Sequence, residues 1–541
     1  MVKNSKIKTI EGSITLTIIW VIICLLLFIC ILLPLLFVLA SPSFSDFKKV
    51  LFSNIWKKAC LNTFIEVLAS TFFSVLTGFL YAYGVVKVSI PAKRFFSLIP
   101  LIHLVTPPFV GGLAFILLLG KQGFITKTIL GLDISLYGFP GLLIAQTLCF
   151  FPLAYMICAQ TLENINSDYE IAARTLNAGR LKIFFTITLP LSMPGIISAA
   201  LYIAVSVMSD FGNPMIVAGR YRVLAVEIYT QLTGWINGGS SAVLGILLVI
   251  PSIILFVFQN KYFSKNMAKL AVVGGKASSN TKTSASLSAK IFFTIFCSFI
   301  TICVILQFFA IIAGSFQKIW GINPEFTLKH IQNIARCKKE LINSLRFAIE
   351  AGLLSTLIAS FAAFLVLRTS CPLKKYIDSL IQLPAAIPGS LFGLALLLFS
   401  SKINFHYSNI LILIAITVGF IPFSYRSISS AYSQIKMTID DAALALGASP
   451  LKLLFSIIYP LSKDGLLNSF IYDFMRGVGT MSAVIFLVSF DTPLTSIKIL
   501  NLAEQGFWGD AAALALVLTI ITFVILLTGK LIIRFWGKKY E

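Results

Sequence analysis

The sequence predicts an all-α membrane protein with about twelve transmembrane helices, arranged as two parallel six-helix repeats. Of its 541 residues, 58% are hydrophobic and only 12% are charged, whereas a soluble domain carries roughly 25% charged residues. The mean hydropathy is +0.93. Apolar runs of about 20 residues, long enough to cross a bilayer as a helix, recur along the whole chain.

These runs predict six spans in each half of the chain. In the first half they cover residues 13–40, 63–87, 96–120, 138–161, 193–217 and 241–262. In the second half they cover residues 290–315, 344–367, 377–400, 408–432, 465–489 and 511–535. The first run follows a basic head, but it is too long for a signal-peptide core and lacks a convincing cleavage site. We therefore interpret it as a retained span.

Residues 264–290 separate the halves. They are rich in Ser, Thr, Gly and Lys and have no sustained apolar face, which predicts a flexible linker. The expected domains are a first half at 1–263, the linker, and a second half at 291–541. An even number of spans in each half makes the repeats parallel. The distribution of Lys and Arg favours a cytosolic N-terminus, with the linker on the same side.

The formal net charge of +22 is typical of many nucleic-acid-binding proteins. Here, however, the basic residues lie in short loops between apolar runs, where they act as topology signals and contact lipid headgroups. We therefore expect membrane lipid as a partner and no nucleic acid.

One short polar segment occurs twice. Residues 170–192 and 440–462 align without a gap, about 270 residues apart. The identical pairs are Ala172/Ala442, Ala173/Ala443, Leu176/Leu446, Lys182/Lys452, Ile187/Ile457, Pro190/Pro460 and Ser192/Ser462. An ordinary amphipathic interfacial helix is the alternative for one copy. Two copies at matching positions instead predict two equivalent cytosolic docking loops.

The repeat also extends upstream of these loops. Asn62 and Asn343 open similar segments, which Pro91 and Pro372 close at the same spacing of about 281 residues. The difference between the two spacings indicates a shorter loop after the third span of the second half.

Each polar segment is expected to form a short helix, a tight turn and a second helix that returns to the membrane. An acid, Glu170 in the first copy and Asp440–Asp441 in the second, lies near the start of the first helix, where the helix dipole favours it. Asn177 and Gly447 are the residues best able to take the left-handed conformation that ends such a helix.

These segments resemble the EAA loop of ATP-binding-cassette importer permeases, whose pattern is Glu-Ala-Ala, three residues, Gly, nine residues, then Ile-x-Leu-Pro. The second copy matches at Asp441, Ala442, Ala443, Gly447, Ile457 and Pro460. The first copy departs at Ile171, because its acid stands one place earlier at Glu170, and at Asn177 in place of Gly.

The resemblance implies that each loop is a coupling helix that docks on an ATPase subunit. The coupling residues it implies are Glu170, Ala172, Ala173, Asn177, Asp441, Ala442, Ala443 and Gly447. Since the second copy fits the pattern better, we expect it to be the stronger contact, with Asp441 more important than Glu170.

Most of the chain is similar to the fused permeases of ferric-iron importers, including the stretches SDFGNP at 209–214 and RGVGTMSAVIFLVS at 476–489. The resemblance implies a bacterial inner-membrane permease with two copies of an ATP-binding subunit and an extracytoplasmic substrate-binding protein. Permeases for phosphonate, thiamine and polyamine share much of this pattern. An ion-gradient-driven secondary carrier is the alternative from another class.

Charged residues inside predicted spans are candidates for the transport pathway, because charges in a bilayer are costly. They are Asp210, Asp473 and Arg476. Structural pairing is the competing interpretation for Asp473 with Arg476, and for Arg346 with Glu350, since residues three or four apart share a helix face.

The sequence contains no set of residues for catalysis. The GGK stretch at 274–276 lacks the spacing of a phosphate loop, because Leu270 stands where Gly is required. We therefore expect a transport subunit without its own ATPase site. We also expect no cofactor and no stable metal site, since no cluster of His and Cys has ligand spacing.

Overall fold

The computed structural model describes residues 14–132, 136–273, 286–369 and 374–538. Within these ranges, the side chains of residues 14–15, 104–105, 108–109, 260–273, 530 and 532–538 are not described. The basic residues before residue 14, the centre of the predicted linker at 274–285, and Pro372 lie outside the described residues.

The described chain is almost entirely helical. In chain order its helices are α1 Ile14–Leu27, α2 Leu33–Ala40, α3 Phe44–Phe52, α4 Asn54–Tyr83, α5 Lys93–Val105, α6 Pro108–Leu119, α7 Phe139–Asn164, α8 Asp168–Thr175, α9 Arg180–Ile183, α10 Leu189–Met208, α11 Gly212–Val217, α12 Leu224–Tyr229, α13 Gly238–Val273, α14 Leu287–Phe316, α15 Lys329–Asn333, α16 Lys338–Arg368, α17 Lys374–Gln382, α18 Gly389–Lys402, α19 Ser408–Gln434, α20 Met437–Ala445, α21 Pro450–Leu453, α22 Tyr459–Leu461, α23 Lys463–Val478, α24 Thr495–Glu504 and α25 Trp508–Lys538.

Short irregular turns and one hairpin complete the fold. Turns of π-helix occur at Phe28–Leu32, Gly84–Val88, Phe124–Ile129, Phe184–Thr188, Thr230–Gly234 and Leu454–Ile458, and turns of 3₁₀-helix at Ile334–Cys337 and Leu383–Ala386. Strand β1 Gln317–Ile319 pairs antiparallel with β2 Asn323–Phe326, with Ile319 opposite Asn323.

The chain forms two compact units that do not follow the two sequence halves. Unit A comprises Phe44–Arg336 and Ile499–Thr519, and unit B comprises Met1–Ser43, Cys337–Lys498 and Ile520–Glu541. The first helix of each sequence half belongs to the unit that is formed mainly by the other half. Within unit B, α1 and α2 pack against α16, α17 and α18, and within unit A, α14 packs against α4, α5 and α6.

Each unit has a central group of three helices at matching repeat positions. In unit A, α4 packs against α7 and α10, and in unit B, α16 packs against α19 and α23. Small residues allow the closest approach, as at Gly78 of α4, where an added Cβ would lie 2.4 Å from the Cβ of Ala154. The helices that follow the polar loops, α10 and α23, therefore contact the second span of the same half.

Ten helical segments are long and apolar enough to cross a membrane within the described residues, and a bent pair, α17 with α18, provides an eleventh. This confirms an all-α polytopic protein. The predicted eleventh span, 465–489, is helical only to Val478. Gly477 and Gly479 flank this end, and glycine weakens a helix because it loses more backbone entropy than other residues.

The predicted third and ninth spans are each broken rather than continuous. The third is divided into α5 and α6 at Thr106–Pro107, and the ninth bends by 107° between α17 and α18, beside Pro384 and Pro388. Proline has no backbone N–H and its ring clashes with the preceding turn, so both breaks follow from the paired prolines. In addition, residues 264–273, which we assigned to the linker, continue helix α13.

Candidate functional site

The two polar loops have the predicted helix–turn–helix form. In the first, α8 ends at Thr175 and Asn177 has a left-handed backbone with φ 60°. In the second, α20 ends at Ala445 and Gly447 has φ 78°. The prediction that Asn177 keeps the turn of the glycine copy is confirmed.

The hydrogen bonds that close the two turns are also the same. The Ala178 amide donates to the Ala173 carbonyl at 3.0 Å, and the Ala448 amide donates to the Ala443 carbonyl at 3.0 Å. Bonds of this kind, from two residues past the helix end back to its last turn, define a Schellman cap. A turn of π-helix then follows at Phe184–Thr188 and at Leu454–Ile458, so the repeat continues through the second helix.

The acidic residues of the loops occupy two different environments. Glu170 and Asp440 are buried, whereas Asp441 is exposed. The structural counterpart of Glu170 is therefore Asp440, at the same place in the gapless repeat, and not Asp441. Glu170 and Asp441 therefore face different surroundings.

The remaining coupling candidates divide between the inner and outer sides of the loops. Ala443 is buried and Ala173 is partly buried, while Ala172 and Ala442 are exposed. At the tips, Leu176 is 84% exposed and Leu446 is 89% exposed. An exposed leucine therefore stands at the equivalent tip position of both loops. The sequence analysis noted this identical pair but did not place it among the coupling residues.

Both buried acids form ion pairs with a basic residue near the end of the second predicted span of their own half. Lys87 Nζ lies 3.1 Å from Glu170 Oε1, and Arg368 Nη1 lies 2.6 Å from Asp440 Oδ2. Burial raises the pKa of the Asp440 carboxyl above its ordinary value, and the Arg368 guanidinium acts in the opposite direction. The sequence analysis did not predict either pair.

A cluster of polar side chains surrounds Asp210 inside unit A. Gln146 Nε2 donates to Asp210 Oδ2 at 3.0 Å and to Glu66 Oε1 at 2.8 Å, while Ser70 Oγ donates to Gln146 Oε1 at 2.8 Å. Asn213 Nδ2 also donates to Asp210 Oδ2, at 2.9 Å. One amide thus bridges two buried carboxyl groups. Neither carboxyl forms an ion pair within the described part of the chain.

Asp473 has a separate cluster inside unit B. Ser355 Oγ donates to Asp473 Oδ2 at 2.6 Å, and Ser424 Oγ donates to the same oxygen. The alternative in which Asp473 pairs with Arg476 is wrong, because the described residues show hydroxyl donors and no ion pair at this carboxylate. The pairing of Arg346 with Glu350 is confirmed, with Nε 2.7 Å from Oε1.

The polar clusters of the two halves are not repeats of each other. Glu66 aligns with Phe347, Gln146 with Ile416, and Asp210 with Thr480 at the spacings of the repeat. The cluster around Asp210 in unit A therefore contains two carboxyl groups, whereas the cluster around Asp473 in unit B contains one. Within the described ranges, no three His, Cys, Asp or Glu side chains are grouped as metal ligands.

On the predicted outer side of unit A, His330 fastens the hairpin to the start of α25. His330 Nδ1 lies 2.8 Å from Asp510 Oδ1, and its Nε2 lies 3.0 Å from the Gln317 carbonyl oxygen. Asn333 Nδ2 donates to the same Asp510 oxygen at 3.0 Å. Gly509 makes room for the ring, since an added Cβ would lie 2.4 Å from His330 Nε2.

Comparison with known proteins shows that the same family model matches this chain twice, and each match includes one polar loop. The family model described as "Binding-protein-dependent transport system inner membrane component" matches residues 52–269 and again residues 355–539. Each match contains one polar loop and the Lys or Arg that pairs with its buried acid.

Several curated permeases are similar to this chain. The ferric transport system permease protein FbpB of Actinobacillus pleuropneumoniae is 30% identical over 80% of this chain. A putative ferric transport system permease of Haemophilus influenzae is 30% identical over 80% of this chain and 70% of its own length. The molybdenum transport system permease ModB of Escherichia coli is 30% identical over 37% of this chain and 91% of its own length. The similarity covers 64% of the length of the Actinobacillus protein, which is less than two thirds.

Proposed function

We propose that this chain, which belongs to the family of binding-protein-dependent transport system inner membrane components, is the permease of an ATP-driven ferric-iron importer. Membership of the family and the apolar helices make it a multi-pass protein of the bacterial inner membrane. The chain is a transport subunit. In our proposal, ATP is hydrolysed by two copies of a partner subunit, and an extracytoplasmic binding protein delivers the cargo.

One observation carries the choice of ferric iron. The two relatives named as ferric permeases align with 80% of this chain, so their similarity extends over both halves. The molybdenum permease aligns with 37%, and a putative 2-aminoethylphosphonate permease of Salmonella choleraesuis with 48%. The fused two-half arrangement is thus shared with the ferric relatives, which favours their cargo over the alternatives of phosphonate, thiamine or polyamine.

The two polar loops are the proposed docking sites for the ATPase subunits, and we call α8 and α20 the coupling helices. The same cap, the same π-helical turn and an exposed leucine in both copies support equivalent roles. We assign the docking contact to Leu176 and Leu446 together with the exposed Ala172, Ala442 and Asp441. An apolar side chain exposed at a loop tip gains most when a partner covers it.

Among the candidate pathway residues, Asp210 has the strongest case. It stands with a second carboxyl group, Glu66, and with no Lys or Arg paired to it among the described residues, so the cluster can accept a passing cation. Asp473 is held by two hydroxyl groups and fits a structural role better. Arg476 remains a candidate without a contact that favours it.

Uptake measurements test this function. Cells with and without the chain would be given radiolabelled ferric citrate, molybdate or 2-aminoethylphosphonate. We expect loss of ferric uptake alone when the chain is absent, and recovery when it is restored. Loss of molybdate or phosphonate uptake instead would overturn the cargo. Uptake that a proton ionophore abolishes while cellular ATP is maintained would favour a secondary carrier.

The docking role has its own test. Leu176→Ser and Leu446→Ser should reduce co-purification of the ATPase subunit with the chain, because each removes an exposed apolar contact. Leu353→Ser, at an exposed leucine within membrane helix α16, is the matched control and should leave the complex intact. Full recovery of the complex with both loop variants would contradict the assignment.

A further inference from the structure

We propose that Lys87–Glu170 and Arg368–Asp440 are two positioning ion pairs that tie each coupling helix to a central membrane helix of its own unit. This inference rests on the proposed function. In it, movement of the ATPase subunits reaches the membrane through these pairs, and the acids at positions 170 and 440 are internal fasteners rather than contacts with the ATPase.

The first pair lies entirely within unit A. Lys87 belongs to the π-helical turn Gly84–Val88 that extends α4, and Glu170 lies in the first turn of α8. Their side chains are 13% and 8% exposed. Thr188 Oγ1 also donates to Glu170 Oε1, at 3.1 Å. Since Thr188 precedes α10, this carboxylate connects the end of α4, the coupling helix and the start of α10.

The second pair repeats this connection in unit B with a stronger set of bonds. Arg368 is the last residue of α16, and the side chains of Arg368 and Asp440 are 2% and 5% exposed. Arg368 Nη2 donates to the Ile435 carbonyl at 2.8 Å and to the Tyr432 carbonyl. One guanidinium therefore joins the end of α16, the end of α19 and the coupling helix α20, as a planar group with several donors can.

The agreement between the halves argues against chance contact. Lys87 and Arg368 are separated by the same spacing as Asn62 and Asn343, and Glu170 and Asp440 by the spacing of the loops. Both halves thus have a basic residue and an acid at matching positions, although Lys in the first half is replaced by Arg in the second, and Glu by Asp. The helices that they fasten, α4 and α16, are the ones that pack at the centre of each unit.

Because Glu170 and Asp440 are buried against their own chain, they can hold the coupling helices in place. A carboxylate that is buried against its own chain is not available to a docking partner, so it holds the coupling helix while the exposed tip makes the contact. A tip that is displaced by the ATPase then moves α4 or α16 with it. Without the ion pair the tip can turn on its own, and ATP hydrolysis then drives transport less effectively.

Charge reversal in the first pair tests this role. Lys87→Glu and Glu170→Lys would be made singly and together, with Arg346→Glu and Glu350→Lys as the control. That control pair is also Arg or Lys with Glu, but its side chains are 58% and 36% exposed. The chain would be purified with its ATPase subunit and reconstituted, and ferric uptake and ATP hydrolysis would be measured in the same proteoliposomes.

We expect each single reversal to keep the complex but to lower the ratio of ferric ions transported to ATP hydrolysed by about tenfold, within the usual range of coupling between sites. The double reversal should restore the ratio to within about twofold, since it re-forms the pair. The control variants should leave the ratio unchanged. Parallel losses of uptake and hydrolysis at a constant ratio would indicate a merely structural pair, and loss of the complex would place the acid on the docking surface. Either result overturns the proposal.

A second measurement does not depend on the cargo or on the ATPase. Trypsin cleavage within residues 174–182 would be followed in inverted membrane vesicles that carry the full chain. Each single reversal should speed cleavage and the double reversal should slow it again. If the unaltered chain transports no ferric iron, the proposed cargo fails while this protection pattern still decides the ion pair. Unchanged cleavage in the single variants would refute the pair itself.

Discussion

Asn177 and Gly447 occupy the same left-handed position in two separate loops, with φ 60° and φ 78°. Their neighbours make the same Schellman hydrogen bonds, so the two residues are interchangeable in geometry although only one of them is glycine. Asparagine tolerates this conformation better than other residues that carry a Cβ atom. The turn therefore requires a left-handed backbone conformation at this position, but it accepts either Asn or Gly.

This requirement predicts different outcomes for three substitutions at the turns. Gly447→Val should impair co-purification of the ATPase subunit, because a branched residue in the left-handed region costs about 1–2 kcal/mol. Gly447→Asn should be tolerated, since it copies the first loop, and Asn177→Gly should be tolerated as well. Equal effects of Val and Asn at position 447 would show that the backbone conformation does not matter.

The two alanines of the second loop should respond oppositely to a charge. Ala443 is buried and Ala442 is exposed. Ala443→Asp should prevent the loop from folding, because an unpaired buried charge costs several kcal/mol. Ala442→Asp should leave the loop folded and weaken docking alone. Protease resistance of the loop, measured beside co-purification, separates the two effects. A loop that stays protected in Ala443→Asp would contradict the buried position.

Gln146 should contribute to the thermal stability of the protein. Gln146→Ile removes the amide that donates to both Glu66 and Asp210. Asp210 keeps its bond from Asn213, but Glu66 loses this donor, and a buried acceptor left without a donor costs about 1–3 kcal/mol. The repeat-equivalent residue is Ile416, so the helix itself accepts isoleucine there. We expect a lower thermal unfolding temperature in detergent. An unchanged temperature would show that the two carboxyl groups do not depend on this bridge.

Asp473 and Arg476 should differ in their effects on stability. Asp473→Leu removes the carboxylate oxygen that accepts from both the Ser355 and the Ser424 hydroxyl, and it should destabilise unit B by about 1–3 kcal/mol. Asp473→Asn keeps an acceptor oxygen and should cost less. Arg476→Ala should have the smallest effect, since Asp473 does not rely on it. The thermal unfolding temperatures of the three variants would rank these losses of stability. A larger loss for Arg476→Ala than for Asp473→Leu would restore the ion-pair interpretation.

Gly509 should not tolerate even a methyl group. Gly509→Ala drives a Cβ into the His330 ring, and overpacking of this kind typically costs about 1–3 kcal/mol. Gly419→Ala is the matched control, because an added Cβ there meets no atom within 4 Å. We expect the first variant, and not the second, to expose the β1–β2 hairpin to added protease. Identical protection in both would indicate that His330 moves aside freely.

The sequence was sufficient for the parts of the fold that depend on composition and local preference. Apolar runs located most of the spans, and the repeat located both loops and their left-handed turns. Hydropathy does not register where prolines and glycines end a helix, so the predicted ninth span bends near Pro384 and Pro388, and the predicted eleventh span ends early near Gly477. Local preference also could not show that the first helix of each half packs with the opposite half.

The sequence predicted the two polar loops, but it did not predict the ion pairs that their buried acids form. The motif pattern drew attention to Asp441, because that residue matches the family acid, whereas the buried acids are Glu170 and Asp440. The gapless alignment of the two loops already paired these residues. Their partners, Lys87 and Arg368, stand about 70 to 85 residues earlier in the chain, and only the packing of α4 on α7 and of α16 on α19 brings them close. Long-range contacts of this kind leave no periodic signal in one sequence.

The exchanged first helices affect how the protein can be made. Helix α1 is synthesised before every helix that it packs against in unit B, since α16 begins only at Lys338. After insertion it must remain in the bilayer, surrounded by lipid, until translation has produced some three hundred further residues. Lipid solvates its apolar surface during this interval, so the delay is tolerable in a membrane where it would cause aggregation in water. Biogenesis of unit B is therefore necessarily late, and unit A gains most of its helices while unit B is still incomplete.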